Sequence, residues 1–266
     1  MLVDGNMNIG DVRILDIGNK YGIMASSADA FPKKFVMDKR NVTFMKNRCN
    51  LAFGKGIDPK KMYRATQEKR NGSYCVLTKE LIDSKEDGWL LNIPEDILIV
   101  TKDNPGVVIG HSCIDFPVVI MTDIKLGVTA VCHCDPSCIN GKMPLKMYDA
   151  LKKEFDSDIS DIGVYVGSCI SEKKEAQYPN YILDDEIWKD SVLEKRDYYS
   201  IDLRKAISNQ LNSLGIDDSH IFWNMDDTLT NPNYYSAGDK FGGRKKIGRN
   251  FVGAYYEDSV LVKVKK

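Results

Sequence analysis

The sequence lacks the features that would place it at a membrane or on a polyanion. No stretch approaches the roughly 18 consecutive apolar residues that span a bilayer. The formal net charge of −1 over 266 residues leaves no excess of either sign. Residues 1–10 are acidic and polar with no apolar core, which is unlike a secretory signal. We therefore expect a cytoplasmic protein that contacts no membrane and no nucleic acid.

Internal repeats, low-complexity tracts and flexible linkers are also absent, which predicts a single domain over residues 1–266. Strand-like runs and amphipathic helices intermix without strict βαβ alternation, so we expect an α+β fold. Periodicity and end signals predict helices at 38–53, 143–155 and 203–214. Strands are predicted at 12–17, 61–66, 74–78, 97–101, 107–109, 117–121, 127–132, 162–166, 220–223 and 248–256.

Reactive side chains are concentrated between residues 111 and 138. This segment holds two of the three histidines and four of the seven cysteines, and its members are His111, Cys113, Asp115, Cys132, His133, Cys134, Asp135 and Cys138. Imidazole and thiolate ligands together favour zinc-like metals, so His133 and Cys134 are candidate zinc ligands. Strand alternation, however, sends Cys132 and Cys134 to one face and His133 to the other. A single metal site would then use either the imidazole or the thiols as ligands, and not both.

Nucleophilic chemistry is a second interpretation of the same segment. A thiol becomes reactive when a base or a lowered pKa favours its thiolate. Cys113 as nucleophile and His133 as base would form such a pair if their strands are neighbours. Asp115 is a third candidate catalytic residue. His111 and His220 are expected to be ordinary hydrogen-bonded residues.

A basic, glycine-containing segment at 242–249 is a candidate anion site, because backbone N–H groups and guanidinium forks both bind anions. Its arginines are Arg244 and Arg249. A solvated surface turn is the alternative interpretation.

Several stretches resemble the laccase-domain family, which is described as multicopper-polyphenol-oxidase-like and as purine nucleoside phosphorylases. Residues 96–106 resemble a strand and turn of the family. Counting on without a gap, Asp115, Asp123, Gly127 and His133 fall on the family's aspartates, glycine and histidine. Further matches within residues 40–256 are Asn47-Arg48, Gln67, residues 167–171, Asp202-Leu203-Arg204, Tyr234-Tyr235-Ser236 and Gly248-Arg249.

The resemblance implies a four-layer α/β/β/α domain with mixed sheets, of the cysteine-hydrolase-like type. It also implies a zinc ion held by two histidines and a cysteine, and phosphorolysis of purine nucleosides, with adenosine deamination also known in the family. A nucleoside and phosphate would be the substrates, with Ser236, Arg244 and Arg249 as candidate substrate-binding residues. The older family label, copper-dependent oxidation of phenols, fits poorly with a chain of only three histidines.

The chain departs from the family pattern at the metal positions. The first family histidine falls on Lys69 and the family cysteine on Phe116, so His133 alone remains. The arginine pair expected after Ser236 is replaced by Ala237-Gly238. We therefore expect the family zinc site to be largely lost.

Three functions remain open from the sequence. The first is a divergent nucleoside-processing enzyme centred on His133. The second is a metal-free cysteine hydrolase or deamidase that uses Cys113 and His133. The third is a non-catalytic binding protein that keeps the fold.

Overall fold

The computed structural model describes residues 7–17, 58, 61–84, 91–180, 182, 186–237 and 250–257, and the helix predicted at 38–53 lies outside them. The strands of the described residues are β1 (Met7–Ile9), β2 (Val12–Ile17), β3 (Met62–Ala65), β4 (Tyr74–Val76), β5 (Leu91–Ile93), β6 (Ile97–Thr101), β7 (Val108–Cys113), β8 (Val118–Asp123), β9 (Val128–His133), β10 (Ile162–Val166), β11 (Lys173–Glu175), β12 (Val192–Glu194), β13 (Tyr199–Ile201), β14 (Ile221–Trp223) and β15 (Asn250–Tyr256). The helices are α1 (Lys79–Asp83), α2 (Pro136–Asn140), α3 (Met143–Phe155) and α4 (Leu203–Ser213), with 3-10 turns at Ile159–Asp161 and Asp218–His220.

The strands form two six-stranded mixed sheets and a small third sheet. The first sheet has the order β1-β2-β15-β7-β3-β5, and its last two pairs are parallel. The second has the order β14-β10-β8-β9-β6-β4, and its two outermost pairs are parallel. Strands β11, β13 and β12 make the third sheet. The predicted α+β class with mixed sheets in a single domain is confirmed.

The two large sheets pack face to face, and helices cover the outer face of the second one. One apolar cluster lies between the sheets and includes Ile109 of β7, Ile120 of β8 and Val252 of β15. A second cluster joins the other face of the second sheet to α2, α3 and α4 and includes Met147 and Ile207. Both strands of the central β8–β9 pair are therefore buried on both faces, which agrees with their continuous apolar sequences.

Local signals explain the helices that the sequence predicts. Asp202 caps α4 by accepting a hydrogen bond from Lys205 N. Pro144 occupies the first turn of α3, where its missing N–H costs nothing. The short helix α2, which was not predicted, begins after Asp135, whose side chain accepts from Cys138 N. Among the described residues no helix has the length and apolar character needed to cross a membrane.

Candidate functional site

The loops that carry the predicted site residues converge at one edge of the second sheet. His133 is the last residue of β9 and lies opposite Val118, the first residue of β8. Cys134 N donates to Pro117 O at 2.8 Å, so the β7–β8 connection lies beside the end of β9. Gly167 N donates to Val118 O at 2.9 Å, which brings the segment after β10 to the same edge.

The side chain of Gln67 holds His133 at this edge. Gln67 follows β3 of the first sheet, and its Oε1 lies 2.9 Å from His133 Nδ1. Its Nε2 donates to the backbone oxygen of His133 at 2.8 Å and to Cys138 Sγ at 3.0 Å. The residue is buried and has a φ of +58°. The imidazole is thus fixed by a residue that follows a strand of the opposite sheet, and the sequence indicated this residue only as a motif match.

Two further rings lie against the His133 ring. The ring of His111, from β7 of the first sheet, stacks on the His133 ring with centroids 4.7 Å apart and an interplanar angle of 14°. Phe116 approaches the same ring edge-on at 6.1 Å. His111 Nδ1 lies 3.0 Å from Ser112 O, so His111 is hydrogen-bonded, as predicted. Its stacking on His133 was not predicted.

The thiols of Cys132 and Cys134 lie on the other face of the second sheet, as strand alternation predicts. Both belong to the apolar cluster beneath α2, α3 and α4, and their sulfur atoms are 3.7 Å apart. Burial raises the pKa of the Cys134 thiol and of the neighbouring Cys138 thiol. The His133 imidazole faces the first sheet and the Cys134 thiol faces the helices, so this geometry does not favour their predicted pairing on one metal ion.

Cys113 is the last residue of β7 and is 1% exposed in the cluster between the two sheets. It lies two residues after His111, so both side chains are on the same face of β7. That face is the one from which the His111 ring reaches His133. Cys113 and His133 thus occupy the same layer between the sheets, in which Cys113 is packed among apolar side chains.

Asp115 anchors the segment that follows β14. Its carboxylate accepts a hydrogen bond from Thr228 Oγ1 at 2.8 Å through Oδ1 and one from Ala237 N at 2.8 Å through Oδ2. Its backbone oxygen accepts from Ile170 N at 2.9 Å. The residue has a φ of +62° in the left-handed region, which aspartate tolerates better than most residues. These contacts give Asp115 a loop-anchoring role beside the predicted catalytic one.

Of the three predicted substrate-binding residues, the structure describes Ser236. It is buried and directly precedes Ala237, which is bound to Asp115. Tyr235, the residue before it, exchanges backbone hydrogen bonds with the Asn250 side chain. Arg244 and Arg249 lie outside the described residues.

A buried carboxylate that no sequence motif indicated also lies at this edge. Asp16 of β2 accepts hydrogen bonds from Tyr165 Oη at 2.8 Å, from Ser168 N and Oγ at 2.8 and 2.9 Å, and from Asn224 Nδ2 at 2.8 Å. Burial raises its pKa against the lowering effect of these donors. The available signal was its position in β2, on the same face as the buried Ile14.

The family model for "multi-copper polyphenol oxidoreductase laccase" matches residues 27–254. The chain belongs to this laccase-domain family. No curated protein matches the sequence.

Three solved structures have a fold similar to that of this chain. The hypothetical protein YfiH of Bacillus licheniformis is 15% identical with a TM-score of 0.73, over 97% of this chain and 98% of that one. YlmD from Geobacillus stearothermophilus is 17% identical with a TM-score of 0.67, over 93% and 92%. Protein NMB0706 of Neisseria meningitidis is 12% identical with a TM-score of 0.67, over 96% and 100%.

The resemblance places the family zinc ligands at Lys69, Phe116 and His133, and two of these three side chains carry no atom suited to bind zinc. Lys69 is an exposed cation whose Nζ forms an ion pair with Glu95 at 2.7 Å. Phe116 offers no donor atom, which leaves His133 alone, whereas a zinc site needs at least three protein ligands. In the described part of the chain, no group of three His, Cys, Asp or Glu side chains could hold a metal.

Proposed function

We propose that this chain is a divergent nucleoside-processing enzyme of the laccase-domain family, in which His133 is the acid–base group. The observation that carries the proposal is the retention of His133, held by Gln67 and stacked on His111, at a site whose other two metal positions have changed. A purine nucleoside and phosphate are the proposed substrates. The cytoplasmic location expected from the sequence is part of the same proposal.

The proposed reaction needs a proton donor and acceptor at one position. Phosphorolysis forms a bond between a phosphate oxygen and C1′ of the ribose, and it breaks the C1′–N9 bond. The electron pair of that bond leaves with the purine, which takes up a proton. That proton comes from dihydrogen phosphate: Nε2 of an imidazole fixed through Nδ1 accepts it from the attacking phosphate and passes it to the leaving purine. Ser236, Arg244 and Arg249 are the proposed phosphate-binding and substrate-binding residues.

The test is an assay of phosphate-dependent cleavage of purine nucleosides, in which the release of free purine is measured. We expect His133→Ala to lower turnover by about 100-fold or more, the usual effect of losing an acid–base group. His220→Ala is the matched control, because His220 lies in the 3-10 turn before β14, whose other end pairs with Val166 beside the site, and it should leave turnover unchanged. Full activity in His133→Ala would move the chemistry to another residue. Absence of cleavage by the unmodified chain would refute the nucleoside assignment.

A second candidate function is a metal-free hydrolase or deamidase that uses Cys113 and His133. The observation in its favour is that Cys113 and His111 share one face of β7 and that the His111 ring stacks on His133. In this case Cys113→Ala would abolish hydrolysis or deamidation, and a covalent adduct would form on Cys113 with an electrophilic substrate analogue. Unchanged activity of Cys113→Ala would exclude it.

A further inference from the structure

The amide of Gln67 has one allowed orientation. One of its ends faces the backbone oxygen of His133 at 2.8 Å. A carbonyl oxygen only accepts hydrogen bonds, so the end that faces it must be the NH₂ group. The amide oxygen is therefore the atom that lies 2.9 Å from His133 Nδ1. A flipped amide would place two oxygen atoms against each other.

This orientation decides where His133 carries its proton. An amide oxygen has no proton to give, so Nδ1 must be the donor of the 2.9 Å hydrogen bond. The neutral ring then has its lone pair on Nε2. We propose that Gln67 is a positioning residue that fixes His133 in the Nδ1–H form. The catalytic meaning of this inference rests on the proposed function, since Nε2 is then the atom that exchanges protons with the substrate.

The surroundings of Gln67 hold it in this role. Its Nε2 also donates to Cys138 Sγ at 3.0 Å, in the middle of α2. Its backbone adopts a φ of +58°, a conformation that costs free energy at a residue with a side chain and persists only where neighbours impose it. Gln67 N donates to Glu95 O at 3.2 Å, which fixes the turn after β3. Each polar atom of the side chain thus has a partner in the segment 133–138.

The experiment is long-range ¹⁵N–¹H NMR of protein labelled in histidine. This spectrum distinguishes Nδ1–H, Nε2–H and doubly protonated imidazole. The chain has only three histidines, so His220→Asn and His111→Phe variants assign the His133 signals by elimination. We expect neutral His133 in the Nδ1–H form in the unmodified protein. The Nε2–H form there would overturn the proposal without any Gln67 variant.

Two substitutions separate positioning from packing. Gln67→Leu keeps most of the side-chain volume and removes the acceptor, so His133 should move toward the Nε2–H form that a histidine side chain prefers in water. Gln67→Glu keeps an acceptor oxygen next to Nδ1 but sets its second oxygen against the backbone oxygen of His133, so the variant should lose stability while Nδ1 stays protonated. An unchanged Nδ1–H form in a folded Gln67→Leu protein, or an Nε2–H form in a folded Gln67→Glu protein, would overturn the inference.

The NMR readout needs no turnover, so the two proposals can fail separately. A protein with the Nδ1–H form that cleaves no nucleoside retains the positioning role and loses the proposed function. A protein that cleaves nucleosides with His133 in the Nε2–H form retains the proposed function and loses the positioning role of Gln67. Where both hold, we expect Gln67→Leu to lower kcat by about 10-fold or more with little change in KM, because the proton is on the wrong nitrogen.

Discussion

The imidazole rings of His111 and His133 come from opposite sheets and stack at 4.7 Å between centroids. His111 Nδ1 lies 3.0 Å from Ser112 O, which only accepts, so His111 also carries its proton on Nδ1. The two stacked rings thus share the same protonation form. This relationship joins the two sheets at the edge where the site lies, and its loss should be measurable as a loss of stability.

We expect His111→Ala to lower the free energy of unfolding by about 1–3 kcal/mol, because a buried ring and its stacking contact are removed. His111→Phe keeps a ring against His133 and should cost less. Urea denaturation of the two variants beside the unmodified protein measures the difference. If both substitutions cost the same, the stack does not contribute to stability.

Substitution of Asp115 should loosen the segment 228–237. Asp115→Ala removes the acceptors of Thr228 Oγ1 and Ala237 N, at a cost of about 1–3 kcal/mol, chiefly for the buried Thr228 hydroxyl left without its acceptor. Hydrogen exchange should speed up in peptides from this segment. Asp115→Asn retains one acceptor oxygen and a residue that tolerates positive φ, so its effect should be smaller.

The control for Asp115→Ala is Asp190→Ala, because Asp190 is exposed and has a similar φ of +57°. Asp190→Ala measures the cost of placing alanine at a positive φ, and it should leave hydrogen exchange in segment 228–237 unchanged. Equal exchange rates in Asp115→Ala and the unmodified protein would show that the carboxylate does not hold this segment.

Thiol reactivity should follow burial. Burial raises the pKa of Cys134 and Cys138, and it raises that of Cys169 to about 12. A raised pKa means less thiolate at a given pH, so these cysteines should resist iodoacetamide at pH 8 in the folded protein. The half-buried Cys75 should be alkylated earlier. Mass spectrometry of timed digests gives the order, and early labelling of Cys134 would contradict the packing described for it.

Asp16 should make stability depend on pH in a defined direction. Its pKa in the folded protein is raised above the ordinary value of 3.8, chiefly by burial. The folded state therefore binds this proton more tightly, and the contribution of Asp16 is greatest at low pH and is lost as the pH rises through the raised pKa. The stability of the unmodified protein relative to Asp16→Asn should fall as the pH rises above 3.8. If the stability of the unmodified protein relative to Asp16→Asn increases as the pH rises, the prediction is wrong.

The sequence predicts the parts of this structure that depend on local patterns. The apolar runs that form β8 and β9 were visible, and alternation alone placed Cys132 and Cys134 opposite His133. The capping aspartate of α4 was equally clear. These features depend on neighbours within a few residues, which is the range over which periodicity and capping act.

The contacts that define the site come from distant segments. Gln67 reaches His133 across 66 positions, and Asp16 meets Asn224 across 208. The order of strands in the sheets brings both pairs of residues together, and patterns in a single sequence do not give that order. The strands of β11–β13 were missed for a related reason, because each has only three residues and partly exposed side chains.

The most direct test of the central claim is the zinc content of the purified, untagged protein and of His133→Ala, measured by elemental analysis beside the phosphorolysis assay. Because the resemblance places Lys69 and Phe116 at two of the laccase-domain zinc positions, we predict far less than about one zinc per chain in both proteins, with nucleoside cleavage in the unmodified protein alone. About one zinc per chain in the unmodified protein, lost in His133→Ala, would contradict the account and show that His133 is a metal ligand.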